Sequence, residues 1–428
     1  MNAYLSVLRI SDYRKLWVGS LLSLLGDGAS WVALAWMALA AGGTGALSVI
    51  GICYMLPVLL GGAVVGPILD RFSRRRLLIA DNVTRGLVMA SVPLVALAGD
   101  VPLGLLFFVA AIFGLLKIVP LGAVPAVVPE LVPDDKLQPA AALETIGYGA
   151  AGLIGPALAG ALIPFIGGEG VLAIDAATYG LFALLVLSMK AKLPRPQPTG
   201  TSDAPAGYGW KPALAILFQD RVLLAITLSF MAFNFVFGMI TILAPWLVKF
   251  EFDGHPQVLG LLLATLSGAE LLGSFVGGML KPVDRVMLRM GLLQICAGLG
   301  LLLLFVRSVP TVLLALLVVG LLSGPVTVSS LALRMGRIPD ALRGRTMTLM
   351  RTLMNASPPL GAAVTGILLS SASYSAAVAV MVLSASLPGV AVALAYRRTS
   401  FASPTQPKEP APITLPTETA ANPQPAAG

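Results

Sequence analysis

Long uninterrupted apolar runs alternate along the chain with short polar stretches that carry Gly, Pro and charge. Six runs, near 16–41, 46–69, 77–98, 101–125, 140–166 and 169–189, precede a polar stretch at 191–211. Six more follow it, near 222–248, 257–280, 286–306, 309–333, 346–371 and 373–396. As helices, runs of about 20 to 27 residues are long enough to cross a hydrocarbon layer of about 30 Å. The apolar positions are continuous rather than alternating, which is the pattern of membrane helices and not of barrel strands. The pattern predicts an all-α membrane protein with twelve transmembrane helices. The first run exceeds the core of a cleaved signal and no cleavage pattern follows it, so it is expected to be a retained span.

The polar stretches divide the chain further. Residues 191–211, AKLPRPQPTGTSDAPAGYGWK, are rich in Pro, Gly and Ser and read as a linker between a six-helix half at 1–190 and another at 212–398. Residues 399–428 are rich in Pro and Thr without apolar periodicity, and are expected to be a disordered tail. DYRKLW at 12–17 is echoed by QDRVLLA at 219–225, PDDKL at 133–137 by PDALRGR at 339–345, and GGAVVGPILDR by GSFVGGMLKPVDR. Three echoes in the same order predict two pseudo-symmetric halves.

Composition agrees with the pattern: at 57% hydrophobic and 11% charged residues, too little polar surface exists to coat a soluble globule. The net charge of +8 is a topology signal rather than a nucleic-acid signal. All of the 28 Lys and Arg except Lys249, Arg307, Arg85 and Lys117 fall in stretches on one side of the predicted bundle. By the positive-inside rule that side, with both termini, is expected to be cytoplasmic. The two cysteines, Cys53 and Cys296, lie in apolar runs and read as small packing residues; the single histidine, His255, excludes a multi-histidine metal site. No phosphate-binding loop, metalloprotease motif or Ser-His pair is present, so neither an enzyme nor a cofactor is expected.

An ionisable group at membrane depth is a functional candidate by default. Asp27, between Gly26 and Gly28 in the first run, Glu270 in the eighth and Lys117 in the fourth are the candidates for binding a proton or substrate. Low dielectric favours the neutral acid, the property that reversible protonation requires. Lys117 in the fourth run is expected to neutralise one of these carboxylates, and Asp175 to cap a helix end. Asp81 and Arg85, four residues apart in the third run, are expected to form a structural ion pair.

GPILDRFSRRR at 66–76 resembles the signature loop between the second and third helices of the major facilitator superfamily, with Ser73 where that family has Gly. The resemblance implies the superfamily fold and a cytoplasmic gate built on Gly66, Asp70, Arg71, Arg74 and Arg75. AGLIGPALAG at 151–160 is similar to the fifth-helix motif of the superfamily's exporters, through Gly155, Pro156 and Gly160. AVVPELVP at 126–133 and IDAATYGLFALL at 174–185 resemble the bacterial branch of enterobactin-exporter-like and macrolide-efflux-like proteins. The resemblance implies a monomeric secondary transporter of the inner (plasma) membrane that exchanges a small lipophilic compound, drug-like or siderophore-like, for protons. An importer or lipid carrier on the same fold, or a membrane sensor or scaffold, are the alternatives left open.

Overall fold

A computed structural model of the chain describes residues 2–191, 211–279, 285–338, 340–371 and 373–396, without the side chains of 2–3, 58–71, 118, 134, 211, 340–341, 343–345 and 395–396. All but the first and last residues of the expected linker, and the whole expected tail, lie outside the described residues. Among the described residues all regular structure is helical. The first half holds α1 (Asn2–Leu8), α2 (Ser11–Arg71), α3 (Arg74–Ala96), α4 (Leu103–Leu116), α5 (Ile118–Leu131) and α6 (Leu137–Leu187). The second holds α7 (Lys211–Gln219), α8 (Arg221–Glu251), α9 (Pro256–Met279), α10 (Val286–Gly300), α11 (Val309–Arg337), α12 (Asp340–Asn355), α13 (Pro358–Ser370) and α14 (Tyr374–Tyr396).

The helix ends follow local chemistry. α2 and α6 each contain two predicted runs, and each breaks at glycine. Gly43 has φ 62° and Gly167 φ 71°, the left-handed region that side chains rarely adopt. Asp220 starts α8 by accepting from the Val222 and Leu223 N–H groups at 2.8 and 3.3 Å. Among the described residues, nine helical stretches are long and apolar enough to cross a membrane; those spanning Ser11–Pro57 and Leu137–Leu187 each contain one of the glycine breaks. Two predicted runs are divided. The run at 101–125 is split by Lys117 between α4 and α5, and the run at 346–371 is split between α12 and α13. The second split has a plain cause: Pro358 and Pro359 have no N–H to continue the preceding ladder and suit the first turn of a new helix.

Packing divides the bundle by depth. At the end carrying Gly43 one apolar core joins both halves, with Leu34, Leu39 and Ile50 of α2 and Leu172 of α6 in the same cluster as Ile242 and Leu247 of α8, Leu259 of α9 and Ala362 of α13. Toward the opposite end the halves have separate cores. One gathers Tyr13, Leu16, Leu78, Val127 and Phe182; the other gathers Leu223, Met287, Ile338 and Met350. The halves are therefore closed on each other at the Gly43 end. Small residues make that closure. The backbones of Gly160 in α6 and Gly260 in α9 approach so closely that an added methyl on Gly160 would sit 2.9 Å from the Gly260 Cα. In lipid, where apolar burial gives no drive for helix association, such close approach supplies it through dispersion.

Candidate functional site

Three helices of the first half bring a polar cluster into its interior. α2 carries Asp27 and Ser30, α3 carries Asp81 and Arg85, and α6 carries Asp175, Thr178 and Tyr179. The spacings of three or four residues put each set on one helix face. Arg85, 2% exposed, reaches both carboxylate oxygens of Asp27, 7% exposed, with Nη2 at 3.2 and 3.1 Å. The Tyr179 hydroxyl donates to Asp27 Oδ1. The guanidinium also lies against the Phe113 and Tyr179 rings, 5.0 and 4.5 Å from their centroids. Removing one partner from such a buried pair leaves an uncompensated charge, which costs about 3–5 kcal/mol.

The structure corrects the expected Asp81–Arg85 pair. Among the described residues the guanidinium bridges α3 to α2 through Asp27, while neither Asp81 carboxylate oxygen has a hydrogen-bond partner. The reason is tertiary: α2 presents a carboxylate to the face of α3 that also carries Arg85, and a helix neighbour gains no advantage from being close in sequence. Asp175 is not an end cap. The break at Gly167 places it two turns into the second arm of α6, fully buried, where it accepts from Ser30 Oγ at 2.5 Å and Thr178 Oγ1 at 3.1 Å. Gly26 makes room for it, since a methyl there would overlap Asp175 Oδ1.

The other candidates stand apart from this cluster. Lys117 does not neutralise Asp27 or Glu270 directly. Its Nζ donates to the Tyr54 hydroxyl at 2.6 Å, and Tyr54 in turn stacks on Trp31 at 4.7 Å between centroids. The end of α4 at Leu116 swings the lysine toward the second arm of α2. Glu270 is half-buried on α9, in the second half, with its backbone against Gly320 and Gly324 of α11 and without a hydrogen-bond or ion-pair partner among the described residues. Asp27 and Glu270 thus belong to separate environments.

In the signature loop, the side chains of Gly66, Asp70 and Arg71 lie outside the described residues. Arg74 donates to the Ala126 carbonyl at 2.5 Å and pairs with Glu130, both in the last turns of α5. Arg75 donates to the Leu187 carbonyl at 2.5 Å, at the end of α6. Both arginines thus lie at the C-terminal turns of helices within the first half, where positive charge is favoured, and Arg75 satisfies the terminal carbonyl of α6. The fifth-helix residues occupy a crossing. A methyl on Gly155 would fall 2.8 Å from the Leu25 carbonyl and 2.9 Å from the Gly28 Cα, and the Pro156 carbonyl faces Gly260. Gly155, Pro156 and Gly160 therefore join the helix bearing Asp27 to the second half.

Several participants escaped the sequence reading. Ser30 and Tyr179 stand three and four residues from Asp27 and Asp175, a spacing that marks them once those carboxylates are known to face inward. Glu144 of α6, half-buried, lines a small cleft with Tyr13, Trp17 and Tyr148.

Helical spans, small-residue crossings between two halves and a buried charge cluster define a membrane carrier. The chain matches the family described as transmembrane secretion effector over residues 2–415 and belongs to it; it is a multi-pass transporter of the major facilitator superfamily. It is similar to the multidrug efflux pump Tap of Mycobacterium tuberculosis (strain ATCC 25618 / H37Rv), 29% identical over 81% of this chain and 84% of the relative. Macrolide efflux protein A of Streptococcus pyogenes is 22% identical over 62% of this chain and 65% of its own length. Among solved structures, a bacterial homologue of the iron transporter ferroportin in the inward-facing state superposes with a TM-score of 0.68 at 17% identity, covering 92% of this chain and 100% of that one. A point mutant of the peptide transporter POT in complex with alafosfalin gives 0.69 at 15% identity, covering 90% and 94%.

Proposed function

We propose that the chain exports small, partly lipophilic compounds from the cytoplasm across the inner membrane in exchange for protons. The observation that carries the coupling is the Asp27–Arg85–Tyr179 cluster with Asp175 and Asp81 beside it. Three buried carboxylates stand about one buried cation, which pairs with Asp27, and charge buried in excess of its partners is relieved by binding protons. Export is supported by the efflux pumps among the relatives and by the fifth-helix residues at the crossing of α2, α6 and α9. With both termini cytoplasmic, closure at the Gly43 end corresponds to an inward-facing carrier. Aromatic faces at Trp31–Tyr54 and Phe233–Phe237 suit a lipophilic cargo. Asp70 with Arg71 forms the gate at the open end, and Arg74 and Arg75 brace it by holding the start of α3 to α5 and α6. The regions 1–190 and 212–398 are the two moving halves, joined by 191–211.

The test uses ethidium as probe. Everted vesicles with an acidic lumen are expected to accumulate it, and D27N is expected to abolish that accumulation at equal protein level. Accumulation confined to right-side-out vesicles would reverse the direction of transport, and full pH-dependent exchange in D27N would remove Asp27 from the coupling.

A further inference from the structure

Asp81 is the one carboxylate of the cluster that the geometry leaves unserved. It is 4% exposed and among the described residues neither oxygen accepts a hydrogen bond, although it lies one helical turn from Arg85, whose Nε also lacks a partner there. The charged groups that act on it are Arg85 on its own helix and Asp27 from α2, while Asp175 and Tyr179 from α6 act on Arg85. From α4 and α5, Lys117 is held by Tyr54 and Glu130 by Arg74. Asp27 has an ion pair and a tyrosine hydroxyl, and Asp175 has two hydroxyl donors. An ionised carboxylate without donors is the costliest buried group available, whereas its neutral form costs only an unmade hydrogen bond.

We propose that Asp81 holds a proton in this state and that Arg85 is a movable partner, so that proton and ion pair change places. In the state described, Asp81 is the neutral acid and Arg85 binds ionised Asp27, tying α3 to α2. In the other state the proton passes from the Asp81 carboxyl to the Asp27 carboxylate while the guanidinium swings to Asp81. One O–H bond breaks as another forms, and the charge of the cluster is conserved. The exchange releases α2, whose first arm packs at Gly28 against Gly155 of the inter-half crossing, and leaves the exchangeable proton on the helix that lines the contact between halves. Rotation of an arginine between partners at i,i+4 on its own helix and on a facing helix requires no backbone movement to begin. This inference rests on the proton-coupled reading and adds to it the residue that holds the proton before Asp27 does.

Infrared difference spectroscopy of the purified full-length protein in liposomes tests it, read at the protonated-carboxyl C=O stretch and its shift in deuterated buffer. Wild type is expected to show a band that vanishes in D81N. The same band is expected to vanish in D27N, because Arg85, with no carboxylate left on α2, pairs with Asp81 and ionises it. A spectrum unaltered by D81N overturns the assignment, and a band lost in D81N but retained in D27N overturns the exchange. D27N alone decides the exchange should D81N fail to fold. Ethidium flux driven by a pH gradient is measured in the same liposomes and is expected to fall to the protein-free background in D81N. If wild type moves no ethidium while the band behaves as expected in both variants, the exchange stands and only the export reading falls.

Discussion

Replacing Gly160 by alanine perturbs the closed end at its tightest point. The new methyl would lie 2.9 Å from the Gly260 Cα, 2.9 Å from the Pro256 carbonyl oxygen and 3.1 Å from the Gly260 nitrogen. All three are backbone atoms, so no side-chain rotation relieves the contact and α6 and α9 must separate. Overpacking of this kind costs about 1–3 kcal/mol. The cost falls only on the state in which the two glycines touch. It therefore shifts the balance between closed and open Gly43 ends by about 5- to 150-fold. Spin labels report this directly. With Cys53 and Cys296, the free cysteines, replaced by serine, labels on A41C and H255C sit at exposed positions of the Gly43 end, one on each half. Pulsed dipolar spectra of G160A should show longer distances gaining population relative to the Gly160 parent. An unchanged distance distribution would refute the reasoning that this crossing holds the closed end.

Two further outcomes follow from the buried polar groups. R85A should destabilise the protein by about 3–5 kcal/mol because it strands Asp27, and D27N/R85M should recover part of that loss in thermal unfolding in detergent. A double variant no more stable than R85A would contradict a buried ion pair. At Lys117, Y54F removes the acceptor and leaves the charge, at a cost of about 1.5–3 kcal/mol, whereas K117M removes the charge itself. K117M should therefore unfold at a higher temperature than Y54F, and the reverse order would show that the lysine draws its stability elsewhere.

The cluster shows where one-dimensional reading stops. Asp27 was recognisable as a deep carboxylate because both flanks are apolar and small. Its partner was not, because the local offer, Asp81 to Arg85, is the stronger sequence signal, and the facing helix overrides it only after α2 and α3 pack. Asp175 was misplaced for a related reason. Its depth depends on where the chain turns, and a displacement of that turn by a few residues moves a side chain from the membrane surface to the interior. Tyr54 could not be paired with Lys117 at all, since 63 residues separate them.

By itself the sequence determined that this is a helical membrane carrier. The cost of exposing backbone and charge to lipid acts residue by residue, so it is written into run length, into the placement of Lys and Arg, and into the glycine breaks at 42–43 and 167. The signature loop and the fifth-helix residues are local strings and were legible for the same reason. Tertiary structure decided which charges meet, which end of the bundle is closed and what the fifth-helix glycines touch. Those outcomes depend on differences of a few kcal/mol between alternative partners, and such differences exist only once helices distant in sequence lie side by side.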